Sequence, residues 1–153
     1  MEAFSIQDAT LADCPQCAEL LVMQLAEHDV HVTAERLIPT LGKVIADPRY
    51  GFLLVALDGC RVVGLAYAAT LLSAEHCGFV SSLEELYVIP GWREKGVGTA
   101  LLTAVFDRAT SAGMTAIELE VDVGHSRVMS LYQRFGFRRL ERSRWLINLP
   151  ARK

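Results

Sequence analysis

The chain has 153 residues, 52% of them hydrophobic and 22% charged, a balance that suits one globular domain over residues 1–153 and excludes a disordered chain. Its net charge of −3 argues against a general nucleic-acid binder. No apolar run is long enough to span a bilayer, and Met1-Glu2-Ala3-Phe4 lacks the basic start and apolar block of a signal peptide, so the expectation is a cytoplasmic protein without membrane or nucleic-acid partners.

Phe4 to Gln7 alternates apolar and polar residues and reads as a first strand. Asp13 is placed to cap a helix whose apolar face, Ala18, Leu20, Leu21 and Leu25, runs to about Glu27. Cys14-Pro15-Gln16-Cys17 has C-x-x-C spacing, but Cys60 and Cys77 are too far apart to form a second metal-binding pair. The two thiols are expected to be ordinary buried helix cysteines, with no metal and no disulfide. His28-Asp29-Val30-His31 is a polar break, Thr33 caps a second helix carrying Leu37, Leu41, Val44 and Ile45, and Asp47-Pro48 stops it.

Gly51 to Leu57 is a continuous apolar run and reads as a buried strand. Asp58-Gly59 is a hairpin turn, and Arg61 to Leu72 returns as a long strand in which Gly64 marks a bulge. Gly78 to Ile89 is the next strand, followed by a turn at Pro90-Gly91 and a helix from Gly96 to about Ala112 that Gly113 ends. Ala116 to Val123 reads as a strand and Ser126 to Arg134 as a helix closed by Gly136. Phe137–Leu140 and Arg144–Leu149 read as a final antiparallel pair. This order gives a mixed α/β fold: a twisted, mostly antiparallel sheet with helices on both faces, in which the helix after Ile89 makes the next strand parallel to its predecessor.

Leu83 to Leu102 carries the chemistry. A strand runs into a glycine-containing loop and then a helix N-terminus, where free amides and the helix dipole favour an anion and glycine lets a phosphate approach the backbone. Arg93 and Lys95 add positive charge there. The glycines fit neither a dinucleotide fingerprint nor a P-loop. The string Val88-Ile89-Pro90-Gly91-Trp92-Arg93-Glu94-Lys95-Gly96-Val97-Gly98 resembles the acyl-CoA pyrophosphate loop of the GNAT N-acetyltransferase superfamily, with Arg93, Gly96 and Gly98 in the places of its Arg/Gln-x-x-Gly-x-Gly/Ala core. A second segment, His125 to Phe137, resembles the family's Asn-x-x-Ala-x-x-Leu-Tyr-x-x-x-Gly-Phe. Leu131, Tyr132, Gly136 and Phe137 match, while His125 replaces Asn and Val128 replaces Ala. The element order matches as well, so the resemblance covers essentially the whole chain.

The resemblance implies acetyl-CoA as co-substrate and an amine as acceptor. It implies a pyrophosphate cradle from the amides of Gly96, Val97, Gly98 and Thr99 with Arg93 and Lys95, and a contact from His125. Pantetheine is then expected beside Leu86, Tyr87 and Val88, in a split between the two central parallel strands, with an oxyanion donor among the same amides. Acyl transfer also needs a base for the amine and an acid for the departing thiolate. Glu84 and Glu85 are the base candidates. As neighbours on a strand they are expected to face opposite sides, and resemblance to polyamine-type members favours Glu84. Tyr132 is the acid candidate, against the blander reading of a core tyrosine. Glu118 and Glu120 read as exposed strand residues. Leu25-Ala26-Glu27-His28-Asp29 is similar to a segment of diamine and polyamine acetyltransferases, which implies a small cationic amine. The alternative is a non-catalytic acyl-CoA-binding regulatory module. The long strand from Arg61 and the C-terminal pair offer surfaces for a homodimer.

Overall fold

In the computed structural model, which describes residues 3–122 and 124–151, five strands form one sheet in the order β1-β2-β3-β4-β5. They are β1 (Ser5–Asp8), β2 (Gly51–Asp58), β3 (Arg61–Ser73), β4 (Gly78–Val88) and β5 (Ala116–Leu119). The first four pair antiparallel and β5 pairs parallel to β4. The helices are α1 (Cys14–Glu27), α2 (Ala34–Ala46), α3 (Val97–Ser111) and α4 (Ser126–Arg134). The chain groups into two compact units, Met1–Glu120 and Val121–Lys153.

The first unit holds the sheet and three helices. The continuous apolar run of β2 is buried from Gly51 to Leu57, so both faces of the sheet are covered there. α1 and α2 pack on each other and on β2–β4, and α3 packs on β1–β4. Leu101, Leu102 and Val105 of α3 are fully buried with Val55, Val63 and Leu65 of the sheet. Gly64 lets α3 approach closely: a Cβ there would lie 3.1 Å from the Tyr87 carbonyl and 3.2 Å from Val97 and Leu101 side-chain carbons. The β3 bulge falls at Val63, one residue before this glycine, because Ala56 pairs with Gly64 and Leu57 with Val62.

Cys14 and Cys17 are buried at the start of α1, and burial pushes the Cys17 thiol up to about 12, which keeps it protonated and unreactive. The expected cap Asp13 lies in a short 3₁₀ turn, Leu11–Asp13, where its carboxylate accepts bonds from the Thr10 N–H at 2.8 Å and hydroxyl at 3.0 Å.

A second irregularity organises the region around the glutamates. Tyr67 of β3 pairs with Glu85, and Ala68 pairs with Leu83, so Glu84 is an extra residue without a partner, a β-bulge. β5 pairs with Val80–Leu83 and ends at Leu119, immediately before this bulge. The expected strand to Val123 is therefore shorter, and Val123 itself lies outside the described residues. A bulge bends its strand, which explains why the parallel pairing stops there. Among the described residues, β4 has no strand partner on the β5 side from Glu84 to Val88. Instead of two strands parting, β5 ends and leaves this edge of β4 open, and β5 is an edge strand, not a central one.

The second unit contains α4, which ends in a Schellman turn. The Gly136 N–H donates to the Gln133 carbonyl at 3.0 Å and the Phe137 N–H to the Tyr132 carbonyl at 3.1 Å, with Gly136 at φ +93°. The expected strand pair Phe137–Leu140 and Arg144–Leu149 does not form. Extended segments become strands only when a neighbouring backbone pairs with them, and here Trp145, Leu146, Ile147 and Leu149 are exposed.

Candidate active site

The open edge of β4 is the centre of the site. The Ile89 N–H donates to the Val63 carbonyl at 3.0 Å, which makes these two a hydrogen-bonded antiparallel pair. By the alternation of such pairs, Tyr87 and Glu85 also turn their backbone groups toward β3, while Leu86 and Val88 turn theirs toward the open edge. Side-chain contacts agree. The Arg93 Nε donates to the Val88 carbonyl at 2.8 Å, and the Gln24 Nε2 lies 3.5 Å from the Leu86 carbonyl. Of the expected Leu86, Tyr87 and Val88 backbone, two residues face the split and Tyr87 does not.

Opposed residues of an antiparallel pair share a face. Leu65, Tyr67, Glu85 and Tyr87 therefore lie on one face, and Ala66, Ala68, Leu83 and Leu86 on the other. The first is the α1 face, since the Tyr87 hydroxyl donates to Glu27 of α1 at 3.5 Å. The bulge corrects the expectation that Glu84 and Glu85 point to opposite faces. The Ser82 hydroxyl, on the α1 face, donates to the Glu84 carboxylate at 3.2 Å, and both glutamates act on the Tyr67 phenol. Glu84 is exposed and Glu85 half-buried. Burial first, then the Glu84 charge, raises the Glu85 carboxyl from 4.5 to about 7, with His28 acting the other way. Burial, then Glu84 and Glu85, also raise the Tyr67 phenol. Near neutral pH Glu85 thus exchanges a proton readily, as a general base must.

Tyr87, Glu27 and Arg93 form a cluster beside the open edge. The Arg93 guanidinium lies 5.3 Å from the Tyr87 ring centroid and 3.4 Å from Glu27 Oε1. Arg93 is thereby turned toward the strand edge, whereas Lys95 sits over the Trp92 ring at 5.3 Å.

The loop then reaches α3 through a 3₁₀ turn, Pro90–Trp92, with Glu94 at φ +63° and Gly96 at φ +84°. Gly96 occupies the N-cap position in the left-handed conformation and contributes no side chain to the cap. The first intrahelical bond runs from the Ala100 N–H to the Gly96 carbonyl at 3.0 Å, so the amides of Val97, Gly98 and Thr99 have no intrahelical acceptor. A Cβ on Gly96 would meet nothing within 4 Å, so there is open space beside the helix start.

In the second unit, His125 holds the N-cap position of α4 without a side-chain cap bond. Tyr132 is buried, its ring edge-on to Phe137 with centroids 5.7 Å apart. Phe137 thus serves as the hydrophobic partner of the Schellman turn. Glu118 and Glu120 are exposed, as expected. Sequence reasoning missed Gln24 and Tyr67. The signal for Gln24 was available: it is a polar residue at helical spacing from Cys17, Leu20 and Leu21, on the buried stripe of α1.

Comparison with known proteins gives a consistent picture. The model of the Acetyltransferase (GNAT) family matches residues 16–137. An uncharacterized N-acetyltransferase of Methanocaldococcus jannaschii is 30% identical over 91 residues, 60% of this chain and 40% of that protein. The uncharacterized N-acetyltransferase YjgM of Escherichia coli is 25% identical over 137 residues, 86% of this chain and 80% of that one. The chain therefore spans less than half the length of the first relative and most of the second. Among solved structures, the aminoglycoside N-acetyltransferase AAC(6')-Iy in complex with CoA shares the fold, with a TM-score of 0.80 at 19% identity and 95% of each chain covered. Among the described residues, no helix is long and apolar enough to cross a membrane.

Proposed function

The chain belongs to the acetyltransferase (GNAT) family, and on that footing we propose that it transfers an acetyl group from acetyl-CoA to a primary amine of a small cationic molecule, such as a diamine or polyamine. The observation that carries this reading is the continuity of two features. The open β4 edge at Leu86 and Val88 leads directly into the uncapped N-terminus of α3, with half-buried Glu85 on the adjoining face.

These features fit coenzyme A. The uncapped amides of Val97, Gly98 and Thr99, reached past a glycine with open space around it, suit a pyrophosphate. Lys95 adds charge, and the Leu86 and Val88 backbone suits an amide-bearing arm lying like an added strand. Bound acetyl-CoA supplies an activated acetyl carbonyl and a thiolate leaving group.

Glu85 receives a proton from the attacking amine. Deprotonation is needed because an ammonium has no lone pair, and a carboxylate titrating at about 7 accepts a proton far more readily near neutral pH than an ordinary one. The sequence favoured Glu84, but burial favours Glu85, with Glu84 as the neighbour that raises it. The N–H groups of Leu86 and Val88 point to the open edge as donors for a developing oxyanion. The match of Leu131, Tyr132, Gly136 and Phe137 to the family's motif supports Tyr132 as the acid for the thiolate. Glu27, Glu84 and Glu85 provide negative charge for a cationic acceptor.

The test is free-thiol release from acetyl-CoA with putrescine, spermidine, an aminoglycoside and a peptide with a free N-terminus, alongside calorimetry of acetyl-CoA binding. Binding with thiol release dependent on the small amines is expected. Absence of acetyl-CoA binding would overturn the reading, and acetylation of the peptide alone would overturn the substrate class.

A further inference from the structure

Gln24 stands out on α1 because one half of its carboxamide has a partner and the other half has none. The residue is 8% exposed. Its Nε2 lies 3.5 Å from the Leu86 carbonyl, and its buried Oε1 receives no hydrogen bond from any described residue. The assignment of the two atoms is fixed by that neighbour, since an oxygen turned toward the Leu86 carbonyl would be repelled. Oε1 therefore lies on the side of the carboxamide turned away from that carbonyl.

Buried amide oxygens are nearly always satisfied, and an unsatisfied one costs stability. The groups already assigned to acetyl transfer lie along the same helix and on the face of β4 that packs against it. Glu27, three residues along α1, accepts the Tyr87 hydroxyl. Glu85 and Tyr87 lie on the same α1 face of β4. His28, at the end of the helix, is close enough to Glu85 to act on its charge.

A primary amine that attacks a carbonyl carries two N–H bonds and one lone pair. One N–H must point at the base that will take its proton. The direction of the lone pair is then fixed only if the second N–H is also held by an acceptor. A deprotonated carboxylate and an amide oxygen are both acceptors, so together they suit such a donor pair.

We infer that Gln24 is an amine-binding residue: its Oε1 accepts one N–H of the incoming amine beside Glu85, while its Nε2 holds the Leu86 carbonyl. This rests on the proposed acetyl transfer and specifies which group orients the acceptor. The proton removed from the nitrogen goes to Glu85, and Gln24 neither gains nor loses one.

The test compares Gln24→Met, which keeps length and loses both polar atoms, with Gln24→Glu, which keeps an acceptor and loses the donor. The probe is the panel amine giving the fastest thiol release, assayed above pH 8 so that Glu85 is ionised. Gln24→Met is expected to raise the KM for the amine about tenfold, the worth of one hydrogen bond, and to change the Kd for acetyl-CoA by less than that. Gln24→Glu is expected to keep the amine KM within about threefold of wild type, because the acceptor survives. An unmoved amine KM in Gln24→Met overturns the inference. So does weakened acetyl-CoA binding as its only effect, which would place Oε1 against the coenzyme. Should Gln24→Met fail to fold, Gln24→Leu takes its place with the same readout, and an unmoved amine KM in it refutes the role. If the wild type binds acetyl-CoA but no amine triggers thiol release, both the transfer reading and this inference fall. Turnover with an unmoved KM removes only the inference.

Discussion

Replacing Glu85 by glutamine should stabilise the protein at alkaline pH while abolishing its chemistry. The carboxyl rises from 4.5 to about 7 on folding, because burial and then the Glu84 charge disfavour the ionised form. The folded state therefore binds the proton more tightly than the unfolded state. Between pH 4.5 and about 7 the unfolded state loses its proton while the folded state keeps it, so stability falls across that window and stays low above it. At ~1.4 kcal/mol per tenfold change in proton affinity, the penalty at pH 8 is on the order of 3 kcal/mol. Glutamine is neutral at every pH and carries none of it. Urea denaturation at pH 4 and pH 8 measures the difference. Wild type and Glu85→Gln should have similar stability at pH 4, and the variant should be the more stable at pH 8, by up to about 3 kcal/mol. Its kcat/KM should fall about 10²- to 10⁴-fold, the usual worth of a general base, and in wild type kcat/KM should decline as the pH drops below about 7. Equal stability differences at the two pH values would refute the electrostatic argument, and retained turnover would refute the catalytic one.

Two further perturbations address the coenzyme and the acid. Tyr132→Phe keeps the ring against Phe137 and the α4 turn, so acetyl-CoA binding should persist by calorimetry while kcat falls about 10²-fold. Unchanged turnover would remove Tyr132 from the mechanism. Gly96→Trp places a bulky side chain at φ +84° beside the free amides of α3. Acetyl-CoA binding should be lost, with a stability cost of about 1–3 kcal/mol from backbone strain, and binding at wild-type affinity would move the coenzyme away from this loop.

The layout of the sheet and of the first three helices was legible because it rests on periodicity. The apolar run from Gly51 to Leu57 is buried on both faces, and the glycine-opened helix begins at Val97, where Gly96 takes the left-handed cap. The irregularities were not legible, because they depend on partners. Glu84 and Glu85 read as ordinary neighbours on a strand until the pairing of Tyr67 with Glu85 and Ala68 with Leu83 exposes the extra residue. Ile117 to Val121 keeps an apolar–polar alternation beyond Leu119, yet the strand stops where β4 bulges. The Arg144–Leu149 segment has strand-like composition and no strand partner. The same limit applies to Gln24. Its position on the apolar stripe of α1 was visible, whereas its pairing with a carbonyl of the open edge depends on the fold.

A single inserted residue links the two halves of the site. The bulge at Glu84 ends the pairing with β5, which opens the edge at Leu86 and Val88, and it sets Glu85 on the α1 face beside Tyr87. Glu84 also contributes through its charge, as the second cause of the raised Glu85 carboxyl. Glu84→Gln separates these roles, since glutamine keeps the backbone insertion and an acceptor for Ser82 but removes the charge. Loss of a neighbouring anion favours ionised Glu85, so its pKa should fall, and the acid limb of the kcat/KM profile should move to lower pH. The limb should stay above the ordinary carboxylate range, because burial is the larger cause. Acetyl-CoA affinity should not change, since the open edge is a property of the backbone. An unmoved limb would mean that burial alone sets the base. A loss of coenzyme affinity would mean that the Glu84 charge, and not only its insertion, shapes the split.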